Sequence, residues 1–336
     1  MIYVHNKRTD TPKEEITMKA NIERQIEEMK KQTIGVEVEM NSITRRRAAK
    51  IAAELFGTDR FEDTARRNGY YTWSAWDESG REWKFQKDVS IAGRDDCKTE
   101  LVTPILTYDD IPLLQELIRK LRKAGAKSDA TRGCGVHIHI GAKGQTPQSL
   151  RNLANIMASH EDLIVSALNI NRGRIRNYCR TVDENFLETL NRRKPKTMAK
   201  LSDIWYESQG CGYGRDHHYN SSRYHMLNYH ATFTKGTVEF RLFEFEAPDG
   251  ERLNGLHAGQ LKSYIQFCLA LCQMAKEVKF ASPKPQQNEN PKYAMRTWLL
   301  RLGFVGDEFK TAREVLTKRL AGDASFRHGR PETAGR

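Results

Sequence analysis

The chain has 336 residues, 38% of them hydrophobic, enough to bury a sizeable core, and no window approaches the roughly 20 apolar residues that a bilayer span needs. Its six cysteines (Cys97, Cys134, Cys179, Cys211, Cys268, Cys272) lack zinc-ribbon spacing and disulfide-scaffold density, and MIYVHNKRTDTPKEE has no apolar leader core, so a soluble cytoplasmic protein with reduced thiols is expected. A net charge of +12 attracts an anionic partner, without choosing between nucleic acid, a membrane surface and a nucleotide triphosphate.

Residues 1–32 are polar and charged, and from Pro12 to Lys31 they fit an exposed, peripheral helical arm. Residues 33–280 alternate strand and helix patterns, with TIGVEVEM, REWKFQKDVSI, CKTELVTPIL, CGVHIHIG, YHMLNYHATF and TVEFRLFEF as strand candidates. A helix is expected from Thr44 to Leu55, stopped by Gly57. Another begins near Asp109 or Asp110, either of which can cap it, and stops at Gly125. Longer helical patterns cover about 147–168 and 250–277. The turn Asp77-Glu78-Ser79-Gly80 predicts a hairpin, and the strand signal fades between Arg172 and Arg223, where GCGYGRDHHYNSS reads as a mobile lid. Residues 281–336 read as a basic helical extension with a disordered polar end.

Three strand candidates repeat one design, with apolar side chains on one parity and chemical groups on the other. Ile34, Val36, Val38 and Met40 alternate with Gly35, Glu37 and Glu39; Val136, Ile138 and Ile140 alternate with His137 and His139; Val238, Phe240 and Leu242 alternate with Glu239 and Arg241. This predicts an α+β fold, largely antiparallel, with helices covering the greasy face and a polar face open to a ligand. A merely solvated face would carry Thr, Lys, Ser and Gln, whereas carboxylates, imidazoles and one guanidinium point to a metal site.

Residues two apart on a strand stand roughly 6 to 7 Å apart, so Glu37 and Glu39 suit two ions better than one. Magnesium prefers oxygen ligands and substrate phosphates, which makes Glu37, Glu39, Glu100 and Glu239 the natural set, completed by His137. A zinc shell drawn from Cys134, His137, His139, Cys211, His217 and His218 is disfavoured, since neither Cys-x-x-Cys nor His-Glu-x-x-His spacing is present.

GVEVE, KDVSI with TELVTPIL, CGVHIHIG, RYHMLN and GTVEFRLFE, in this order, resemble the amidoligases. CGVHIHIG is similar to the glycine-plus-two-histidine strand of glutamine synthetase, and TVEFR to its Glu-x-Arg strand; the resemblance runs from about Ile34 to Ala275. It implies a glutamine-synthetase-like catalytic fold, related also to glutamate-cysteine ligase. The implied activity is ATP-dependent amide or peptide bond formation through an acyl phosphate. Implied partners are ATP, two or more magnesium ions with manganese as substitute, an amino-acid or peptide carboxylate, and an amine. By the same resemblance Glu37, Glu39, Glu100, Glu239 and His137 are metal ligands, with Glu37 and Glu239 catalytic alongside Arg241, which meets the transferring phosphoryl. His137, His139, Asp88, Arg223 and Asn228 fall to nucleotide or substrate.

Plainer roles stay open: His139 as partner of a carboxylate, Asp88 as turn cap, Arg223 in a surface ion pair. No general base for the amine stands out, and no P-loop occurs. Two other classes compete: a nucleic-acid-binding protein, from the basic clusters Arg45-Arg46-Arg47 and Arg192-Arg193-Lys194, and a non-catalytic binding module on the same fold.

Overall fold

The computed structural model describes residues 12–217, 219–246, 255–285 and 289–328, with side chains from residue 20 onward. In chain order it runs α1 (Pro12–Lys30), β1 (Ile34–Met40), α2 (Arg45–Phe56), β2 (Phe61–Asp63), α3 (Ala65–Asn68), β3 (Trp73–Trp76), β4 (Glu82–Gln86), β5 (Thr99–Val102) and α4 (Ile111–Lys123). There follow β6 (Val136–Gly141), α5 (Pro147–Leu168), α6 (Arg172–Asn177), α7 (Glu184–Arg193), α8 (Met198–Ser208), β7 (Leu227–Asn228), α9 (His230–Thr234) and β8 (Thr237–Phe243). Helices α10 (Ala258–Glu277), α11 (Pro291–Arg301) and α12 (Lys310–Thr317) end the described chain.

The strands make a single sheet in the order β2-β3-β4-β5-β1-β6-β8-β7, each pairing antiparallel. The parity read from sequence decides which way each strand faces. Val36, Val38, Ile138, Ile140, Val238 and Phe240 are all buried in one core, in which α10 packs on β6 and α2 on β2, β3 and β4. Burying one such side chain stabilises by roughly 1.5 to 3 kcal/mol, so a one-residue slip of any central strand would turn its carboxylates into this core.

Several local expectations are corrected. YHMLNYHATF is a strand only at Leu227–Asn228; the Asn228 side chain then accepts from the His230 amide at 2.9 Å and turns the backbone into α9. Neither Asp109 nor Asp110 caps α4 with its side chain: Asp110 reaches back to the Thr107 amide at 2.8 Å and is gripped by Arg81. The helix expected from residue 250 is α10, described from Ala258, and residues 250–254 lie outside the described residues. The caps at Thr44 and Gly57 and the hairpin at Gly80, whose φ is +75°, stand where the sequence put them.

The two ends are tied to the same core as residues 33–280. Met29 and Gln32, which close the expected arm, are buried, and the Gln32 amide donates to the Leu269 carbonyl of α10 at 3.0 Å. In the expected extension, Trp298, Leu299, Phe304, Phe309 and Leu316 recur at helical or turn spacing and are buried in the same core, where α12 packs on α10 and Trp298 meets Phe267 of α10. The end expected to be disordered lies, from residue 329, outside the described residues.

Candidate active site

The register across the centre of the sheet brings the chemical parity of six strands into one row. Glu39 stands opposite Glu100, which stands opposite Gln86; Glu37 stands opposite His137; His139 stands opposite Glu239, which stands opposite Asn228. From this row the structure assembles three overlapping sets of ligand atoms, each lying within 4.8 Å of one another: Glu39, Asp88 and Glu100; Glu37, Glu100 and His137; Glu37, His139 and Glu239. Glu37 and Glu39 fall in different sets, as their spacing along the strand dictates.

Within the row the hydrogen bonds are specific. Glu37 meets His137 Nδ1 at 2.9 Å and His139 Nε2 at 3.3 Å, while Lys235 Nζ lies 3.7 Å away. Arg241 donates to Glu239 Oε1 at 2.5 Å and Asn228 to its Oε2 at 2.6 Å. The Gly135 amide donates to Glu39 at 2.6 Å, and Gln86 donates to Glu100 at 2.7 Å.

The electrostatics divide the row into matched and unmatched carboxylates. Burial pushes Glu239 upward, but Arg241 and then His139 outweigh it and bring it down to about 2. Burial also acts on Glu37, and the imidazoles of His139 and His137 overcome it and hold its carboxyl well below the ordinary range. Glu100 goes the other way: burial, then the charges of Glu37, Glu39 and Asp88, push it well above the ordinary range, with only Gln86 opposing. Two carboxylate charges 4.8 Å apart cost about 3 to 4 kcal/mol at an effective dielectric of 20. A divalent cation removes that cost, and oxygen donors with one imidazole match magnesium or manganese.

The polar face is not open, as the sequence suggested. Glu39, His137, His139, Glu239 and Arg241 are all at most 6% exposed, because residues from α6 and the stretch 219–224 cross above them. What remains is a cavity of about 460 Å³ whose walls include Glu37, Glu100, His137, Arg241, Tyr219 and Lys235. The expected lid is closed on itself, since the Asn220 amide donates to the carbonyls of Cys211, Tyr213 and Gly214 at 3.1 to 3.3 Å. Tyr219 of that loop meets Tyr70 hydroxyl to hydroxyl at 3.2 Å across the cavity wall. A shallower hollow of about 680 Å³ between Gly210 and Ser221 shares Tyr219 but is lined by no carboxylate, and we place no metal chemistry there.

Each sequence candidate can now be placed. Glu37, Glu39, Glu100, Glu239, His137 and His139 converge on the row, and Asp88 both joins it and caps a turn by accepting from the Ser90 amide at 2.7 Å. Arg223 lines the cavity, its guanidinium over the rings of Tyr219 and Tyr224 at 5.5 and 5.9 Å. Asn228 is not among its walls: the residue is 1% exposed, with one end of its side chain on Glu239 and the other on the His230 amide. Among the described residues no cysteine joins a ligand set, so the zinc shell weighed from the sequence is not assembled among them; His218 lies outside the described residues. Arg45 is spent on the carbonyls of Tyr71, Asp95 and Lys98, which leaves the first basic cluster less free for nucleic acid.

Sequence reasoning missed Gln86, Lys235 and Arg174, all in the cavity wall. Gln86 shares the parity of Lys84 in a strand already marked, a signal that was available. Lys235 precedes the turn at Gly236, and Arg174 lies in a short helix where arginine reads as solvated surface.

No helix among the described residues is long and apolar enough to cross a membrane. No curated protein matches the sequence. Among solved structures, the chain is similar to a bifunctional glutathione synthetase from Pasteurella multocida at 12% identity with a TM-score of 0.44, covering 89% of this chain and 48% of that one, so it spans about half the length of that protein. A family model described as "Putative amidoligase enzyme" matches residues 30–272, a stretch that begins at the end of α1, includes every strand and ends within α10. The chain belongs to the amidoligase family.

Proposed function

We propose that this amidoligase is an ATP-dependent carboxylate-amine ligase that joins an amino-acid or peptide carboxylate to an amine through an acyl phosphate, on a glutamine-synthetase-like fold. The observation that carries the reading is the row of overlapping carboxylate and imidazole sets beside the buried Arg241. Glu39, Asp88 and Glu100 at one end, and Glu37, His139 and Glu239 at the other, would hold two or more magnesium ions, with manganese as a substitute and His137 between them. When bound, such ions neutralise charge on the polyphosphate and on the transferring group.

The substrate carboxylate oxygen attacks the γ-phosphorus of ATP, an O–P bond forms and ADP leaves. The amine nitrogen then attacks the acyl carbon, the C–N bond forms, and inorganic phosphate departs with the proton passing to phosphate or solvent. Arg241 faces this step as a fixed cation, and its donors cost no reorganisation because Glu239 already holds the guanidinium. Asn228 holds Glu239 in turn, and Lys235 and Arg223 add positive charge to the wall that a nucleotide enters. The cysteines are all free, five of them buried, which agrees with work in a reducing compartment.

The test is magnesium-dependent release of ADP and phosphate with pooled amino acids and peptides, followed by mass spectrometry for a condensation product. Turnover that requires magnesium and disappears in Arg241→Ala supports the ligase. A wild-type chain that consumes no ATP with any acid and amine in the pool refutes it and favours the non-catalytic module.

A further inference from the structure

A second guanidinium, outside every motif the sequence supplied, borders the same cavity. Arg174 of α6 is 6% exposed. Its Nε lies 3.1 Å from Glu244, and its Nη2 donates to the carbonyls of Arg241 and Phe243 at 3.1 and 3.3 Å. Of these, only Nη2 is hydrogen-bonded; Nε is held in the ion pair with Glu244 but, buried, makes no hydrogen bond. Among the described residues Nη1 donates to no carbonyl or carboxylate; the buried Cys179 thiol lies beside the guanidinium, and the side chain forms part of the cavity wall.

The fork is also seated flat on the backbone of Gly135. A Cβ at that position would meet Nη1 at 2.3 Å, Nη2 at 2.4 Å and Cζ at 2.6 Å, so only glycine lets the guanidinium lie there. The same Gly135 donates its amide to Glu39 in the ligand row. Arg241 carries a matching signature, with Nη1 on Glu239 and Nε buried without a hydrogen-bond partner. Two nearly buried cations, linked through the Arg241 carbonyl and each with donors unspent, are costly to leave facing an empty cavity.

We infer that Arg174 and Arg241 together form an oxyanion site beside the carboxylate row, which receives a phosphoryl or carboxylate group of a substrate. A planar guanidinium whose plane is fixed by anchored Nη2 and whose remaining N–H groups are not all spent is suited to binding such groups. The inference rests on the ligase reading for its biological meaning, since phosphate and carboxylate are the anions such a reaction handles. Its test does not depend on turnover, so a failure to consume ATP would sink the ligase reading alone.

The experiment is calorimetry on the full chain with magnesium chloride present, titrating inorganic tripolyphosphate and, separately, glutarate. The wild type should bind at least one of them, and Arg174→Lys, which keeps the charge but loses the fork, should weaken that binding about tenfold or more while melting within a few degrees of wild type. Whichever anion suffers names the source of the oxyanion. Gly135→Ala, which displaces the fork and leaves its charge in place, should weaken the same anion and provides a second route should the lysine variant fold poorly. In Arg174→Ala, millimolar guanidinium should restore part of the affinity, which a purely structural arginine would not allow. Binding of neither anion by the wild type, or equal binding of both by wild type and Arg174→Lys, would overturn the site.

Discussion

At the hairpin joining β3 to β4, Arg81 reaches both Asp77, at 2.8 Å, and Asp110, through two bonds of 2.8 and 2.9 Å, while the Trp83 indole donates to Asp77 at 2.9 Å. At the centre of the sheet Glu37, Glu39, Glu100 and Asp88 crowd together with imidazoles, a glutamine and a backbone amide as their nearest donors. The first cluster answers its own charge, and the bond from Arg81 holds Asp110 down to about 2 despite burial. The second does not, and Glu100 is driven up by burial and then by its like-charged neighbours. Residue types alone do not separate structural carboxylates from functional ones; the charge left over does.

The comparison breaks most visibly under substitution. Glu37→Gln can still accept from His137, so the fold should survive, but the charge shared by two ligand sets is gone. Its ADP release should fall about a thousandfold, near 4 kcal/mol of lost transition-state stabilisation, in the assay with pooled acids and amines. Retention of a tenth of wild-type turnover would place Glu37 outside the chemistry. Arg81→Met should do the reverse, costing about 3 kcal/mol in urea unfolding, at the low end for a buried pair because Arg81 keeps 29% of its side chain exposed, with turnover of the folded enzyme unchanged. If activity fell and stability did not, the two clusters would have been assigned the wrong way round.

Cation binding sharpens the contrast further. Magnesium at a hundred times its dissociation constant should raise the stability of the wild type by about 2.7 kcal/mol, since it binds the folded row and not the dispersed carboxylates of the unfolded chain. Glu100→Gln, which removes a ligand common to two sets, should lose most of that gain, whereas Asp110→Asn should keep it, as thermal melts with and without magnesium would show. An equal gain in both variants would mean the ion binds elsewhere.

How much of this could be read from the sequence follows from which contacts are local. Parity in IGVEVEM, VHIHIG and TVEFRLF is a backbone property, so the facing of β1, β6 and β8, and with it the convergence of Glu37, His137 and Glu239, was legible. The row itself needed register, which sequence does not carry; that is why Gln86 opposite Glu100 was overlooked. YHMLNYHATF misled because tyrosine, threonine and phenylalanine favour strands, whereas the Asn228 side chain bonds locally to His230 and ends β7 after two residues. Arg174 in RGRIRN was illegible for a different reason, since only the long-range approach of Gly135 and Glu244 distinguishes it from Arg172 and Arg176 beside it. The roof over the polar face, built from α6 and Tyr219, is likewise a tertiary fact, and so a partly covered cleft replaced the open face that alternation implied.

A third buried carboxylate, remote from both clusters, gives the smallest of the expected effects and a test with a defined pH window. Glu161 of α5 accepts from the Val182 amide at 2.5 Å, and burial, with a smaller push from Asp162, raises it from 4.5 to about 7. A carboxyl whose folded value is raised contributes stability that is full below pH 4.5 and lost as pH climbs through about 7. Glu161→Gln keeps an acceptor for the Val182 amide and cannot ionise. Urea unfolding of the two chains should therefore agree near pH 4.5 and diverge above it, the variant gaining about 2 kcal/mol by pH 8 once residual solvent exposure is discounted. A difference independent of pH would show that this carboxyl ionises freely in the folded chain, and that burial with a smaller push from Asp162 is too weak to separate it from the matched pair at Asp110.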